Sequence, residues 1–419
     1  MLHFENERIR ELLFEGLIGL EKESLRVTGD GFMSLTPHPF DADDPHIVRD
    51  FCENQTEINT SPRPTAKEAY EELMLYTERI RRTLFEMEER EYLWPFSNPP
   101  YIRDEKSIPI ARFTGKDKVK TEYREYLSNR YGRYKMTFSG IHFNYSFGER
   151  LLKEDFKLSG YGSLKEYKDA FYVSLAAKAL AFNWIVVAIT AASPLLDSSY
   201  FEKGTFGQDV FNGMASSRCS EIGYWNFFTP LLDYTDIRSY TESIDSIVEH
   251  ELIRSPSELY FPVRIKPRGS YSGKGLIEDG ADHIELRMID LNPLDEAGMD
   301  IRDIFFLQLL LIYLSCRPDR LMDPNTQVES IANTKNAARF DLKTVRIIGG
   351  SEPVSIAAGA RRVIDRMRLF FEDFHRDDIE KTLDFQREKF TEIENRYAWK
   401  VRQRFSGGFV EKGMEILRK

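Results

Sequence analysis

Two stretches of this chain alternate so regularly between apolar and polar residues that they fit strands with one face in a core and the other on a cavity. In SGIHFNYSF, Ile141, Phe143 and Tyr145 fall on one side and His142, Asn144 and Ser146 on the other, because successive strand side chains point to opposite faces. DHIELRMIDLNP repeats the pattern. Ile284, Leu286 and Met288 can face the core, His283, Glu285, Arg287 and Ile289 alternate opposite them, and Asn292-Pro293 ends the run. A less regular third segment, GLEKESLRV, sets Leu20, Lys22, Ser24 and Arg26 against Glu21, Glu23 and Leu25, and Thr28-Gly29-Asp30-Gly31 closes it as a turn. If the faces bearing Glu21 and Glu23, His142 and Asn144, and Glu285 and Arg287 converge, they make one divalent-metal and phosphate site.

The segment RDFCENQTEINTSP fits less easily. Asp50 and Glu57 are seven residues apart, so one regular strand would put them on opposite faces, and both reach one ligand only through a bulge or bend. Glu53 shares the parity of Glu57, and geometry does not choose between Glu53 and Asp50. Further on, Arg264, Lys266 and Arg268 share strand parity ahead of the glycine-rich GSYSGKG, which suits phosphate, although Pro267 is a candidate strand break. The loop is not a Walker A motif: its glycine-to-lysine spacing differs and no Ser or Thr follows Lys274. A solvated basic loop is the alternative.

With 419 residues, 42% hydrophobic and 30% charged, the chain can bury one large core or two unequal ones. Its 58 basic and 68 acidic residues give a net charge of -10, which argues against a nonspecific nucleic-acid binder and leaves small anions to local basic clusters. Three dispersed cysteines, Cys52, Cys219 and Cys316, form no CxxC pair, so neither a structural zinc site nor a disulfide framework is expected and the setting reads as reducing cytoplasm. MLHFENERIRELLFEG has no signal-peptide apolar region.

ALAFNWIVVAITAAS at 179–193 is short for a membrane span and contains Asn183, so it reads as a buried helix, as does IFFLQLLLIYL at 304–314. TAKE at Thr65 predicts an N-capped helix running to about Glu91 on Leu73, Tyr76, Ile80, Leu84 and Met87. Beyond 350 the chain reads as charged amphipathic helix, RRVIDRMRLFFEDF and a run from about Asp377 to Phe405 ended by Gly407-Gly408. The expected division is a core over 1-350 and a C-terminal helical region over 351-419 packed on it, with a partner face there as an option.

Carboxylates, one histidine and no cysteine cluster favour Mg²⁺ or Mn²⁺. Several acids around phosphates would hold two or more ions, and their mutual repulsion would make the site seek cations. A metal-dependent amide hydrolase could use the same groups, but the arginine-rich segment weighs against it; a noncatalytic ligand sensor, which would bind ATP without forming ADP, is the blander alternative. Cys52 and Cys219 are read as packing residues.

The segments GLIGLEKESLRV, DFCENQTEINTSP, EYLWPFSNPPYI, TEYREYLSNRYG, SGIHFNYSF, SRCSEIGYWN, SELYFPVRIKPR and IELRMIDLNP occur in order across about residues 10 to 300. In this they resemble the bacterial-type glutamate–cysteine ligases, also called gamma-glutamylcysteine synthetases, which are related in their catalytic core to glutamine synthetase. The resemblance implies an α+β fold with a strongly curved antiparallel sheet around the active site and surrounding helices. It implies ATP- and Mg²⁺-dependent joining of the gamma-carboxylate of L-glutamate to the amine of L-cysteine through a gamma-glutamyl phosphate. Carried residue by residue, it places metal binding on Glu21, Glu23, Asp50, Glu57, His142 and Glu285, and so selects Asp50 over Glu53. Arg287 would contact ATP phosphates, beside Arg264, Lys266 and Arg268, whose shared strand parity already suits them to the nucleotide. Arg218 would hold an anionic group of glutamate or its phosphorylated intermediate. Tyr224 and Tyr260 match the acceptor pocket, with ordinary packing as the alternative. Met136 stands where the family commonly has glutamine, the tail after 330 is compressed, and no fused ATP-grasp domain is read in the sequence. A different amine acceptor is therefore the runner-up.

Overall fold

The computed structural model describes residues 1–269, 271–349 and 353–418. Among them are strands β1 (Gly16–Thr28), β2 (Ile47–Arg49), β3 (Gln55–Asn59), β4 (Glu91–Leu93), β5 (Ile141–Phe147), β6 (Leu196–Asp197), β7 (Asp209–Val210), β8 (Val263–Lys266) and β9 (His283–Ile289). Seven of the described strands form one sheet in the order β2-β3-β1-β5-β9-β8, with β4 on the end of β1, and β6 pairs with β7 separately. Every pairing is antiparallel. The α+β expectation therefore holds, with an open sheet.

β1 organises the sheet because its 13 residues serve three partners: β5 along Gly16–Lys22, β3 along Glu21–Leu25, and β4 along Arg26–Thr28. The apolar face of the sheet, including Ile18, Leu20, Phe143, Tyr145, Ile284 and Leu286, joins one core with Leu180, Trp184, Leu307 and Leu311. These last four lie on the helices Leu164–Thr190 and Ile301–Ser315. The first is long and apolar enough to cross a membrane, yet 89% of its most apolar window is buried in the fold. Both helices thus back the sheet, as the apolar runs predict, and leave its polar face free for chemistry.

The helix after Thr65 spans Ala66–Glu86, and the Thr65 side chain accepts the Glu68 N–H. It stops short of the expected Glu91 because that residue belongs to β4, where its carboxylate is buried 2.6 Å from the Arg26 guanidinium of β1. A helical Glu91 would leave that buried arginine without its counter-charge.

The division drawn at 350/351 falls at residues 350–352, outside the described ones. Past it, helices Ile356–Phe371, Asp377–Thr391, Tyr397–Phe405 and Phe409–Leu417 follow. The run expected to extend from Asp377 to Phe405 is broken near Arg396, whose buried guanidinium donates to the Ala188 and Phe340 carbonyls at 3.3 and 2.9 Å. Tertiary hydrogen bonds win over helical continuity there. Gly407-Gly408 does end the run, and a further helix starts just beyond because the Asp209 carboxylate takes the N–H groups of Gly407, Gly408 and Phe409. The glycines adopt φ of 79° and 117°, a region that side chains disfavour.

Candidate active site

Register brings the polar residues together. Glu21 of β1 lies directly across from His142 of β5, Asn144 across from Glu285 of β9, and Glu285 across from Arg264 of β8. Between the pairs Ile141–Ile289 and Phe143–Leu286, β9 carries one more residue than β5. Such a bulge bends a strand and re-aims side chains. Glu285 and Arg287 share the polar face here, with Arg287 Nη1 2.8 Å from Glu285 Oε1.

His142 is the hub. Its Nδ1 is 2.8 Å from Glu21 Oε2 and 3.5 Å from Glu285 Oε1, and its Nε2 is 3.7 Å from Glu23 Oε1. One ligand atom from each of Glu21, His142 and Glu285 lies within 4.8 Å of the others. Asn144 Nδ2 donates to Glu21 Oε1 at 3.0 Å, and the Gly140 N–H donates to Glu23 Oε2 at 3.0 Å. Lys266 Nζ and Arg264 Nη1 each stand 3.9 Å from Glu285.

The bulge or bend expected between Asp50 and Glu57 is a strand reversal. Val48 of β2 pairs with Glu57 of β3, so Asp50, two residues beyond Val48, comes to the face of Glu57 from a neighbouring strand. Glu57 in turn sits across from Glu23. Glu53 is occupied elsewhere: its carboxylate accepts the backbone N–H groups of His38 and Arg112 and two contacts from Arg49 Nη1, at 3.0–3.1 Å.

Electrostatics divide the acids. Burial and the Asp50 charge push Glu23 up to about 8, and burial with Asp50, Glu21 and Glu23 drives Glu57 well above the usual carboxyl range. Burial also opposes ionisation of Glu285, but Arg287, Lys266 and Arg264 outweigh it and hold that carboxyl below its ordinary value. For Glu21 the opposing burial is outweighed by the His142 hydrogen bond, while burial and Arg287 lower His142 itself. Glu285 Oε2 and Asn144 Oδ1 are buried without a hydrogen-bond partner among the described residues. Crowded carboxylates, one imidazole and a buried free oxygen fit a hard divalent cation, which would relieve the repulsion that raises Glu23 and Glu57.

Beside the acids is a fixed cationic wall. Buried Arg218 donates through Nη1 to the Arg287 and Ile289 carbonyls at 2.9 and 3.4 Å. Together with Tyr224, Tyr260 and Arg287 it lines a small recess, where the two tyrosine rings approach to 4.2 Å between centroids. Arg264 is largely committed to structure, donating through Nη2 to the Ser257 carbonyl at 3.0 Å and through Nε to the Leu259 carbonyl at 3.2 Å. β8 stops at Lys266, before Pro267. Arg268 is accordingly exposed and lines an outer groove of about 880 Å³ with Asn144, Ser146, Lys168 and His283 instead of joining the cluster. Part of the glycine-rich loop, Ser270, lies outside the described residues. Tyr271 just after it stacks near the Arg264 and Lys266 cations, 5.2 Å from each to its ring centre.

Sequence reading missed Gly140, which shares the strand parity of His142 and binds Glu23. It also missed Arg124, whose Nε donates to the Asp50 carbonyl at 2.5 Å. The spacing G-x-H was a usable signal for the first; the second comes from a distant helix, Lys118–Tyr131, inside the segment TEYREYLSNRYG, where spacing alone does not point to Asp50.

An open antiparallel sheet that presents a crowded acid cluster able to hold a cation, beside fixed guanidinium groups, defines the general class. The glutamate-cysteine ligase family model matches residues 1–254 and 229–337, and the chain belongs to that family. It is 32% identical over 424 residues to the glutathione biosynthesis bifunctional protein GshAB of Listeria welshimeri, an alignment covering 97% of this chain and 54% of that protein. It is 28% identical over 432 residues to the glutamate–cysteine ligase of Clostridium acetobutylicum, covering 90% and 88% of the two chains. The crystal structure of the Francisella tularensis glutamate–cysteine ligase in complex with AMP shares the fold at a TM-score of 0.85 and 19% identity, over 96% of this chain and 88% of that one. The chain thus spans about half the length of the bifunctional relatives it matches.

Proposed function

We propose that the protein uses ATP to join the gamma-carboxylate of L-glutamate to the amine of L-cysteine, giving gamma-glutamylcysteine, ADP and phosphate. Family membership supports the reaction class, and the name of the Clostridium relative supports the pair of amino acids. The observation that carries the chemistry is the position of Glu285 Oε1. It is 2.8 Å from Arg287 Nη1 and 3.5 Å from His142 Nδ1, so the cation cluster and the guanidinium wall meet at one oxygen. Phosphoryl transfer needs that juxtaposition, since positive charge from both sides must fall on the same phosphate oxygens. The AMP complex of the Francisella ligase supports a nucleotide on this fold.

Glu21, Glu23, His142 and Glu285, with Asp50 and Glu57, are the residues that would hold Mg²⁺ or Mn²⁺. When bound, the ions would supply charge neutralisation and Lewis acidity at the phosphates. Arg287 stabilises charge building on the transferred phosphoryl group, and Lys266 lies within reach of the same region. Arg268 and the outer groove would take the remainder of the nucleotide. Arg218, pinned by two carbonyls, is aimed to pair with a carboxylate of glutamate.

The gamma-carboxylate oxygen of glutamate then forms a bond to the gamma-phosphorus of ATP as the bond to the ADP oxygen breaks. The amine of the acceptor attacks the resulting acyl carbon, and phosphate leaves with the former carboxylate oxygen. The proton released by the amine passes to solvent or to a carboxylate of the site. Tyr224 and Tyr260 border the recess where the acceptor would lie, and the free cysteines Cys52, Cys219 and Cys316 support a reducing, cytoplasmic setting.

A second reading, ligation to another amine, is favoured by Met136. It packs in the same extended apolar cluster as Tyr260 and Tyr224, so the departure from the family pattern lies in the packing that carries those two tyrosines. An amine panel with ATP, glutamate and Mg²⁺, assayed for ADP and product mass, tests both. The expected result is a cysteine-dependent product; a product with another amine and none with cysteine overturns the first reading.

A further inference from the structure

We infer that Gly140 is a positioning residue for Arg218, and that the missing side chain at 140 is what sets the fit of the glutamate-binding guanidinium. The inference rests on the placement of Arg218 under the proposed function.

A Cβ built on Gly140 would lie 2.3 Å from Arg218 Cζ, 2.4 Å from Nε and 2.5 Å from Nη2. The guanidinium therefore lies flat against the backbone at 140, in space that any other residue fills. The backbone of Gly140 is itself fixed: its N–H donates to Glu23 Oε2 at 3.0 Å and its carbonyl accepts the Glu23 N–H at 3.0 Å. One end of the guanidinium, Nη1, is held by the Arg287 and Ile289 carbonyls, and Arg218 is only 4% exposed. A methyl group at 140 thus meets the end of a side chain that is buried and tethered through Nη1. The backbone at 140 cannot recede without breaking the pairing with Glu23, so the guanidinium must leave its two carbonyl acceptors.

The conformation of Gly140 does not demand glycine, since it is not among the residues with positive φ. Space for Arg218 is the requirement. Alanine keeps the N–H that binds Glu23, so the effect should appear in glutamate binding and spare the cation cluster.

The test is a double-mutant cycle of G140A and R218A in the full chain, read by steady-state kinetics in each substrate and by thermal melting. G140A is expected to raise KM for glutamate about tenfold or more, with KM for ATP and the Mg²⁺ dependence changed less than about threefold. In the R218A background, where all three colliding atoms are gone, G140A should add less than about a twofold change. If R218A raises KM for glutamate while G140A does not, or the two effects multiply, the inference falls and the role of Arg218 stands. If R218A leaves glutamate kinetics unchanged, the role of Arg218 falls and the inference with it. Should G140A fail to fold, the double variant must regain the melting temperature of R218A; continued failure overturns the inference.

Discussion

Glu23 lies directly across the β1–β3 pair from Glu57, so two half-buried carboxyl groups face one another with Asp50 beside them. Burial and this crowding push both above the ordinary carboxyl range. E57Q should therefore relieve repulsion and melt higher than wild type without divalent ions, by about 2 °C for ~1 kcal/mol. The same variant should gain less from added Mg²⁺, because a ligand stabilises in proportion to its affinity for the folded state. Calorimetric scans with EDTA and with Mg²⁺ decide it; an unchanged Mg²⁺ increment would remove Glu57 from the cation site.

Glu285 links the acids to Arg287, and its replacement should cost activity far more than stability. E285Q keeps the shape but loses the charge shared by His142, Arg287 and Lys266. A loss of about 10²-fold or more in kcat is expected, beyond a fall in melting point from leaving Arg287 and Lys266 short of their counter-charge. ADP release measured across a Mg²⁺ titration is the check, and normal turnover with an unchanged Mg²⁺ requirement rejects the assignment.

How far the site was legible follows from where each constraint originates. His142 with Asn144 and Glu285 with Arg287 could be paired from the sequence because strand parity is local. Asp50 and Glu57 could not, because their common face depends on the chain reversing between β2 and β3, and parity arguments assume one continuous strand. Arg264 looked as free as Arg287; its partners are carbonyls of Ser257 and Leu259 that no pattern of side chains reveals. Likewise the helix ends near Glu86 and Arg396 are set by buried partners far along the chain, while the apolar runs that became the two backing helices declared themselves by composition alone.

Tyr260 separates acceptor binding from packing. Its hydroxyl is buried against that of Tyr224 with no other hydrogen-bond partner among the described residues, so Y260F removes at most that one contact and should melt near the wild-type temperature. If the hydroxyl meets the acceptor, KM for cysteine should rise about fivefold to tenfold while KM for glutamate stays put. Unchanged kinetics for all three substrates would mark Tyr260 as a packing residue.

His38 gives the fold a pH dependence away from the site. Burial, reinforced by Arg26 and Arg49, lowers it from 6.5 to about 4. Between those values the unfolded chain takes up a proton that the folded chain refuses, so the stability linked to His38 is full above pH 6.5 and falls as pH drops toward 4. H38Q cannot titrate, and its melting temperature should decline less than that of wild type from about pH 7 to about pH 5. Parallel declines would exclude His38 as a contributor.

The C-terminal helices are held to the core by a buried charge pair whose removal should be costly. Lys389 Nζ is 2.8 Å from Asp303 Oδ1, with side chains only 1% and 2% exposed. Tyr397 and Gln386 also donate to the Asp303 carboxylate, at 2.8 and 2.7 Å, and Lys389 reaches the Ile189 carbonyl at 3.1 Å. Asp303 lies on the helix Ile301–Ser315 that backs the sheet. K389M leaves a buried carboxylate short of its counter-charge, which costs about 3–5 kcal/mol. D303N/K389M removes both charges and should recover much of that loss, because the amide oxygen can still accept from Gln386 while the amide nitrogen donates to the Tyr397 hydroxyl. Urea denaturation of the two variants separates the cases: equal destabilisation would show that the pair acts through packing, and a recovered midpoint in the double variant that charge balance fastens these helices to the core.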